Sequence, residues 1–152
     1  MMNDAENAIR EAIAELDLQD SVVRVSEIDA GDIVESAAAK FVADRNRLWW
    51  WEALTDSLPQ ESITLPDSSN LGYISKICPS GPAYLFATDD GFPPWPVFRG
   101  DAFNFERILA ECYAFEYAIV SEDMSWMVLE NHHNVIVGIG AGVVESLRDF
   151  AA

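Results

Sequence analysis

The two histidines of the chain are adjacent, at positions 132 and 133, and they are the first candidates for chemistry. With Glu130, Asp123 or Glu116, the nitrogens of His132 and His133 could ligate a metal ion. Adjacent residues of a strand point to opposite faces, so both histidines reach one ion only if a turn folds them together. This spacing favours a structural or recognition turn, and we assign no metal ligand.

Acid or base catalysis would need paired carboxylates, or a nucleophile held beside a base. The side chains with suitable chemistry are Glu116, Glu130, His132, His133, Cys78, Cys112 and Ser125. Nothing in their spacing fixes how far apart they lie in the fold. We therefore assign no catalytic residue and no cofactor. A small metal-dependent or acid/base enzyme centred on His132 and His133 remains the alternative function.

Large aromatic rings form a second group of candidate binding residues. Adjacent residues of a helix point in directions about 100° apart. The three rings of Trp49-Trp50-Trp51 therefore cannot all face one core, and at least one should contact solvent, another element or a partner. Interfaces favour such rings at their buried centres, although these rings could equally fill the core. The tryptophans assigned to binding are Trp50, Trp51, Trp95 and Trp126.

The first elements that must position these residues are helical. An apolar repeat predicts a helix that ends near Asp17, and β-branched residues predict a short strand at 21–28. Residues 29–32 should break this strand. A longer helix should begin at Ile33 and run toward the three tryptophans.

The second half of the chain has mainly strand composition. Residues 55–70 are rich in Ser, Pro and Asp and predict an irregular connection. Strands are predicted at 71–77, 83–88, 97–98, 115–120, 126–130 and 135–139, with helices at 101–113 and 143–148. The segment 71–77 could instead begin as a helical turn, and the strand at 97–98 should lie at a sheet edge.

This order of elements predicts an α+β fold. We expect an antiparallel sheet of about five to six strands, packed against N-terminal helices and one interposed helix and covered on one face. Nothing in the sequence marks a domain boundary, so we expect a single domain over residues 1–152.

The charge balance excludes several classes of partner. The 26 acidic and 9 basic residues give a formal net charge of −17, which repels phosphate backbones and anionic membranes. Nucleic acid and membrane are therefore disfavoured, while a basic protein, a metal cation or plain solubility remain. The chain has 2 cysteines, and we find no secretory signal pattern at the N-terminus, so we expect a cytoplasmic protein.

The run from Phe115-Glu116-Tyr117 through Trp126 to Glu130-Asn131-His132-His133-Asn134 resembles a poorly characterised group of small bacterial proteins. The resemblance extends to Trp50-Trp51-Glu52 and Pro94-Trp95 and covers residues 45 to 140. It implies no established activity, but it adds weight to the matched residues. Those assigned to binding on this basis are Glu116, Tyr117, Glu130, Asn131, His132 and His133.

The physical interpretation of this motif is a hairpin that places Glu116 and Glu130 near a polar turn. Glu130 and Asn131 could cap backbone groups, and His132 could bond a neighbouring carboxylate. The motif would then form either a cluster of hydrogen-bonded polar groups with a structural role or a recognition surface.

In size and charge the chain is also similar to immunity proteins of bacterial toxin systems, which neutralise a cognate toxin by binding it. We therefore predict a cytoplasmic protein-binding module, of immunity type, whose partner is a basic toxin or effector. An exposed tryptophan cluster could equally build a homodimer.

Overall fold

A seven-stranded antiparallel sheet forms the centre of the computed structural model, which describes residues 4–43, 50, 53–64, 73–88, 95–112, 115–131 and 135–151. The strands are β1 (Val23–Arg24), β2 (Gln60–Thr64), β3 (Pro82–Ala87), β4 (Val97–Asp101), β5 (Tyr117–Ser121), β6 (Trp126–Glu130) and β7 (Val135–Gly140). Their order across the sheet is β1-β4-β3-β5-β6-β7-β2.

Within the described ranges, five helices accompany the sheet: α1 (Asp4–Glu15), α2 (Glu27–Phe41), α3 (Ile74–Ile77), α4 (Ala102–Ala110) and α5 (Val143–Ala151). Residues of α1, α3, α4 and α5 share one apolar core with one face of the sheet. Residues of α2 share a second core with the opposite face. None of the helices within the described ranges has the length and apolarity needed to cross a lipid bilayer.

Side chains of the central strands alternate between these two cores. In β5, Ile119 belongs to the first core and Val120 to the second, and in β6 the same division separates Val128 from Leu129. Successive residues of a strand point to opposite faces, so a strand that is apolar throughout needs cover on both sides. The α+β class is confirmed, with one strand more than the highest number expected. The expectation that only one face is covered was wrong.

Several predicted elements are present where local signals are strong. The first helix, the interposed helix and the final helix all form close to their predicted positions. Asp101 accepts a hydrogen bond from the backbone N–H of Asn104 at 2.9 Å and thereby caps α4. Strands β6 and β7 pair across the polar segment 131–134, as predicted.

The second helix differs from its prediction at both ends. It begins at Glu27 because Ser26 Oγ accepts a hydrogen bond from the N–H of Asp29, so residues 29–32 are helical rather than a break. Consequently the strand predicted at 21–28 is reduced to the two residues of β1. The helix ends at Phe41, before the tryptophans that it was expected to carry.

Three segments in the middle of the chain also differ from prediction. The segment 71–77 supplies the short helix α3 rather than a strand, which is the alternative raised above. Strand β2 forms inside the supposedly irregular connection and pairs with β7. Strand β4 lies between β1 and β3 and is therefore not an edge strand.

The sheet has two ends that differ in chemistry. At the Glu130 end, Glu130 lies opposite Tyr117, and Tyr117 lies opposite Ala87. At the Trp126 end, Trp126 lies opposite Gly140, and the turn 122–125 joins β5 to β6.

A buried carboxylate ties α1 to the edge strand β1. Glu6 Oε2 accepts a hydrogen bond from Arg24 Nε at 2.6 Å and another from Arg10 Nε at 3.0 Å. Glu6 is buried, whereas the two arginines remain partly exposed. The ion pair thus fixes the position of β1, which has only two residues of its own to pair with β4.

Glu6→Gln should lower the free energy of unfolding by about 1–3 kcal/mol, because it removes a buried charge from two guanidinium groups. Glu11→Gln, an exposed substitution on the same helix, should change it by less than about 0.5 kcal/mol. Urea denaturation measures both values. Equal effects of the two substitutions would contradict a special role for Glu6.

Candidate functional site

Three polar side chains meet inside the protein at the Glu130 end of the sheet. Tyr117 begins β5 and Glu130 ends β6, and the antiparallel register places them directly opposite each other. Tyr73, immediately before α3, reaches the same point from the helical layer. Two neighbouring strands and one helix therefore position the cluster.

The three groups are in mutual contact. Tyr117 Oη donates a hydrogen bond to Glu130 Oε1 at 2.8 Å, and Tyr73 Oη donates to the same oxygen. The two hydroxyl oxygens lie 2.6 Å apart. Both tyrosines are 2% exposed and Glu130 is 8% exposed. The cluster is thus almost closed to solvent.

Proton counting indicates which form of Glu130 suits this triangle. Three oxygen–oxygen contacts need three protons, but the hydroxyls of Tyr73 and Tyr117 supply one each. A proton on Glu130 Oε1 would complete a ring in which every oxygen donates once and accepts once, with Oε1 then donating to one tyrosine and accepting from the other. The neutral carboxylic acid therefore satisfies the triangle better than the carboxylate.

The electrostatic environment acts in the same direction. Burial raises the pKa of Glu130 above its usual 4.5, although the bonds from the two tyrosines oppose this by favouring the carboxylate. Burial and the neighbouring Glu130 raise the pKa of Tyr73 and also that of Tyr117, so both phenols stay neutral. Chemically, the cluster can retain a proton to a higher pH than an exposed glutamate.

Two other residues of the matched motif, Asn131 and Glu116, are next to members of this cluster in the chain. Asn131 Oδ1 accepts a hydrogen bond from the N–H of Val135 at 3.2 Å, and so caps a backbone group as proposed from the sequence. Glu116 is buried, and its backbone oxygen accepts from the N–H of Thr88 at 3.0 Å. His132 and His133 lie outside the described residues, so their part in the motif stays a prediction.

The candidate tryptophans are distributed over different parts of the fold. Trp50 and Trp95 are buried in the α2 core, with ring centroids 5.2 Å apart, and Phe86 stacks on Trp95 at 5.8 Å. Trp126 is buried in the opposite core, at the other end of the sheet. Trp51 lies outside the described residues. The three described rings are core side chains, and a binding role for them stays a prediction.

The structure thus brings together Tyr117 and Glu130 from the predicted set and adds Tyr73, which sequence reasoning missed. The only feature of the sequence that could have indicated Tyr73 is its phenol group within the otherwise mainly apolar segment 71–77. Across the ranges that the structure describes, no group of three or more His, Cys, Asp or Glu side chains could hold a metal ion.

Tyr73→Phe should lower the free energy of unfolding by about 1–3 kcal/mol, because it removes one bond of a buried polar network. Tyr84→Phe, on a half-buried ring in β3, is the matched control and should change it by less than about 0.5 kcal/mol. Urea denaturation at neutral pH gives both values. A Tyr73→Phe effect no larger than the control would contradict a stabilising role for the cluster.

A second prediction concerns pH. Because the pKa of Glu130 is raised on folding, the folded protein binds this proton more tightly than the unfolded chain. The contribution of this proton to the free energy of unfolding is present in full below the ordinary pKa of 4.5. It is lost as the pH rises through the raised pKa of Glu130 in the folded protein. The stability of the natural chain relative to Glu130→Gln should therefore fall with rising pH, by at most about 1.4 kcal/mol per pH unit.

Urea denaturation of the natural chain and of Glu130→Gln, across the acidic to neutral pH range, tests this second prediction. Glu145→Gln, at an exposed position, is the control substitution. A constant difference between the natural chain and Glu130→Gln would show that Glu130 has no raised pKa.

Comparison with known proteins places the chain in a group without an assigned activity. No curated protein and no solved structure matches it significantly. One family model matches residues 3–151, which is nearly the whole chain. The geometry of the Tyr73, Tyr117 and Glu130 cluster therefore belongs to a protein whose relatives carry no established function. The chain belongs to DUF6756, a family of unknown function.

Proposed function

We propose that this protein is a cytoplasmic binding module for a basic protein, and that it binds through a surface formed by α1, β1 and α2. The observation that supports this proposal is the distribution of its charge. Every acidic residue from Asp4 to Glu35 except Glu6 is exposed. We call this region the acidic N-terminal surface.

The basic residues of this surface do not offset its charge. Arg10 and Arg24 are the only basic residues between positions 4 and 35, and both bind the buried Glu6. The exposed carboxylates of α1 and α2 therefore give this region an excess of negative charge. Lys40, near the C-terminal end of α2, adds one exposed positive charge to this surface. Such a predominantly negative surface accelerates association with a partner of opposite charge and makes the rate sensitive to salt.

The same surface contains apolar anchors. Ile28 in the first turn of α2 is 81% exposed, and Val23 in β1 is 56% exposed. Protein interfaces combine an apolar centre with a polar rim, and the acidic residues around Ile28 could supply that rim. The surface therefore offers contact area as well as charge.

Within this proposal, the specific role is that of a bacterial immunity protein that neutralises a basic toxin or effector. Its support is the small size of the chain and its net charge of −17. Co-expression with the basic product of a neighbouring gene tests this role directly. Rescue of growth would support it, and unchanged toxicity would contradict it for that gene pair.

Charge substitutions test the binding surface. The substitutions Glu11→Gln, Glu15→Gln, Glu27→Gln and Asp29→Asn, made together, should slow association with a basic partner by about tenfold or more at low salt. The control combines Asp56→Asn, Glu61→Gln, Glu145→Gln and Asp149→Asn, which removes equal charge elsewhere and should have a smaller effect. The partner is the basic protein that co-purifies with the natural chain at low ionic strength.

Stopped-flow mixing from low salt up to about 0.15 M measures these rates. Ile28→Ala should increase the dissociation rate, whereas Phe103→Ala, at a residue 61% exposed outside the surface, should leave it unchanged. Failure to retain any basic protein, or equal effects of the two charge variants, would contradict the proposal.

The alternative function is a small acid/base or metal-dependent enzyme centred on His132 and His133. It is supported by Glu130, which lies two positions earlier and has a raised pKa, a property common among catalytic acids. A metal-dependent version predicts that Zn²⁺, Mn²⁺ or Ni²⁺ raises the melting temperature of the natural chain but not that of His132→Ala. An equal response of both proteins would contradict it.

A further inference from the structure

A cavity of about 520 Å³ opens at the Trp126 end of the sheet, away from the Tyr73, Tyr117 and Glu130 cluster. Its walls come from the segment leading into β3, from the turn between β5 and β6, and from the residue that follows β7. The volume suits a small ligand or one long side chain with its backbone. The lining residues that matter here are Pro79, Ser80, Pro82, Asp123, Ser125 and Trp126.

The turn that forms one wall is held in place by its own hydrogen bonds. Ser121 Oγ accepts from the N–H of Ser125 at 2.8 Å and from the N–H of Trp126 at 3.2 Å. Asp123 Oδ1 accepts from Ser125 Oγ at 2.7 Å and from its N–H at 3.1 Å. The carboxylate of Asp123 is thereby oriented before any ligand arrives.

Among the described residues, no group accepts a hydrogen bond from the indole of Trp126. Trp126 lines the cavity and is only 5% exposed, and its hydrogen bonds with described residues all run through its backbone. A buried indole N–H normally has an acceptor. Since none of the described side chains supplies it, an oxygen atom within the cavity is the natural acceptor.

The charge at the rim of the cavity is negative. Hydrogen bonds from Ser125 and Ser121 lower the pKa of Asp123, so its carboxylate is ionised at neutral pH. Glu122 also lines the cavity, but its carboxylate pairs with Arg99 Nη2 at 2.7 Å. Asp123 therefore supplies the negative charge for an incoming cation, and an anionic ligand would be repelled.

We propose that this cavity binds a basic residue in an extended segment of a protein partner. The backbone carbonyl of that residue accepts from the indole of Trp126, and its guanidinium or ammonium group pairs with Asp123. Pro79 and Pro82 contact the aliphatic part of the side chain. This proposal deepens the proposed function, because it takes from it the basic character of the partner. The contact at the cavity is separate from the acidic N-terminal surface.

The test uses N-acetyl-arginine amide and N-acetyl-lysine amide as probes, with the neutral isostere N-acetyl-citrulline amide as control. In ¹H–¹⁵N spectra of the full chain, the Trp126 indole signal is identified by its loss in Trp126→Phe. Both cationic probes, or arginine alone, should shift this signal saturably, and citrulline should not. A shift with arginine alone assigns the site to a guanidinium, because only that group binds a carboxylate in a bidentate manner.

Substitutions separate the contributions to binding. Asp123→Asn keeps an oxygen that can accept from Ser125 but removes the charge, so it should weaken probe binding by about tenfold or more. Ala141→Leu should weaken probe binding by narrowing the cavity that Ala141 lines. Asp56→Asn, at an exposed position in another turn, is the matched control and should bind like the natural chain.

The outcomes distinguish the two proposals. No saturable shift with either cation, an equal shift with citrulline, or unaltered binding in Asp123→Asn would overturn the cavity proposal even if a basic protein binds elsewhere. A saturable, charge-dependent shift in a chain that retains no basic protein would support the cavity site and contradict the proposed function.

Discussion

The burial of β5 and β6 on both faces is the constraint on which the rest of the structure depends. All five residues of each strand are buried, and their side chains alternate between two apolar cores. Neither strand could face water without exposing large apolar surface. Helices on one face and α2 on the other are therefore both required, and a fold with a single helical layer does not suit these two strands.

The burial of β5 and β6 on both faces also explains why their polar side chains are concentrated at the two ends of the strands. A polar group between two apolar layers needs a partner from the protein itself. Glu130 obtains two tyrosine hydroxyls at one end, and Ser121 binds two backbone N–H groups at the other. The indole of Trp126 is the contrasting case, and it lies beside a cavity. The polar clusters at both ends of the strands thus arise from the same requirement.

The parts of the fold that could be predicted are those whose signals are local. Strands β6 and β7 are strongly apolar on either side of a short polar segment, and Asp101 is a standard helix cap. Strand β2 could not be found in this way, because only Ile63 is apolar and its formation depends on pairing with the distant β7. Similarly, Gly31 suggested a break, but the cap at Ser26 and the buried face of α2 outweighed its low helix propensity.

The candidate site was predicted only in part, for a related reason. Tyr117 and Glu130 belong to one motif and one hairpin, so sequence reasoning could associate them. Tyr73 joins them from a segment that was expected to be a strand, and only the packing of α3 against α4 and α5 brings its hydroxyl there. Trp50 and Trp95 pack within the α2 core, and a binding role for them stays a prediction.

The order of strands in the sheet has a consequence for synthesis on the ribosome. Both edge strands, β1 and β2, lie in the first half of the chain, while the central strands follow later. Strand β2 ends at Thr64, and β7, its neighbour in the sheet, begins only at Val135. The nascent chain thus exposes its edges before the centre that joins them exists, and such long-range pairing is slow. Assembly of the sheet therefore has to wait until nearly all of these 152 residues have been translated.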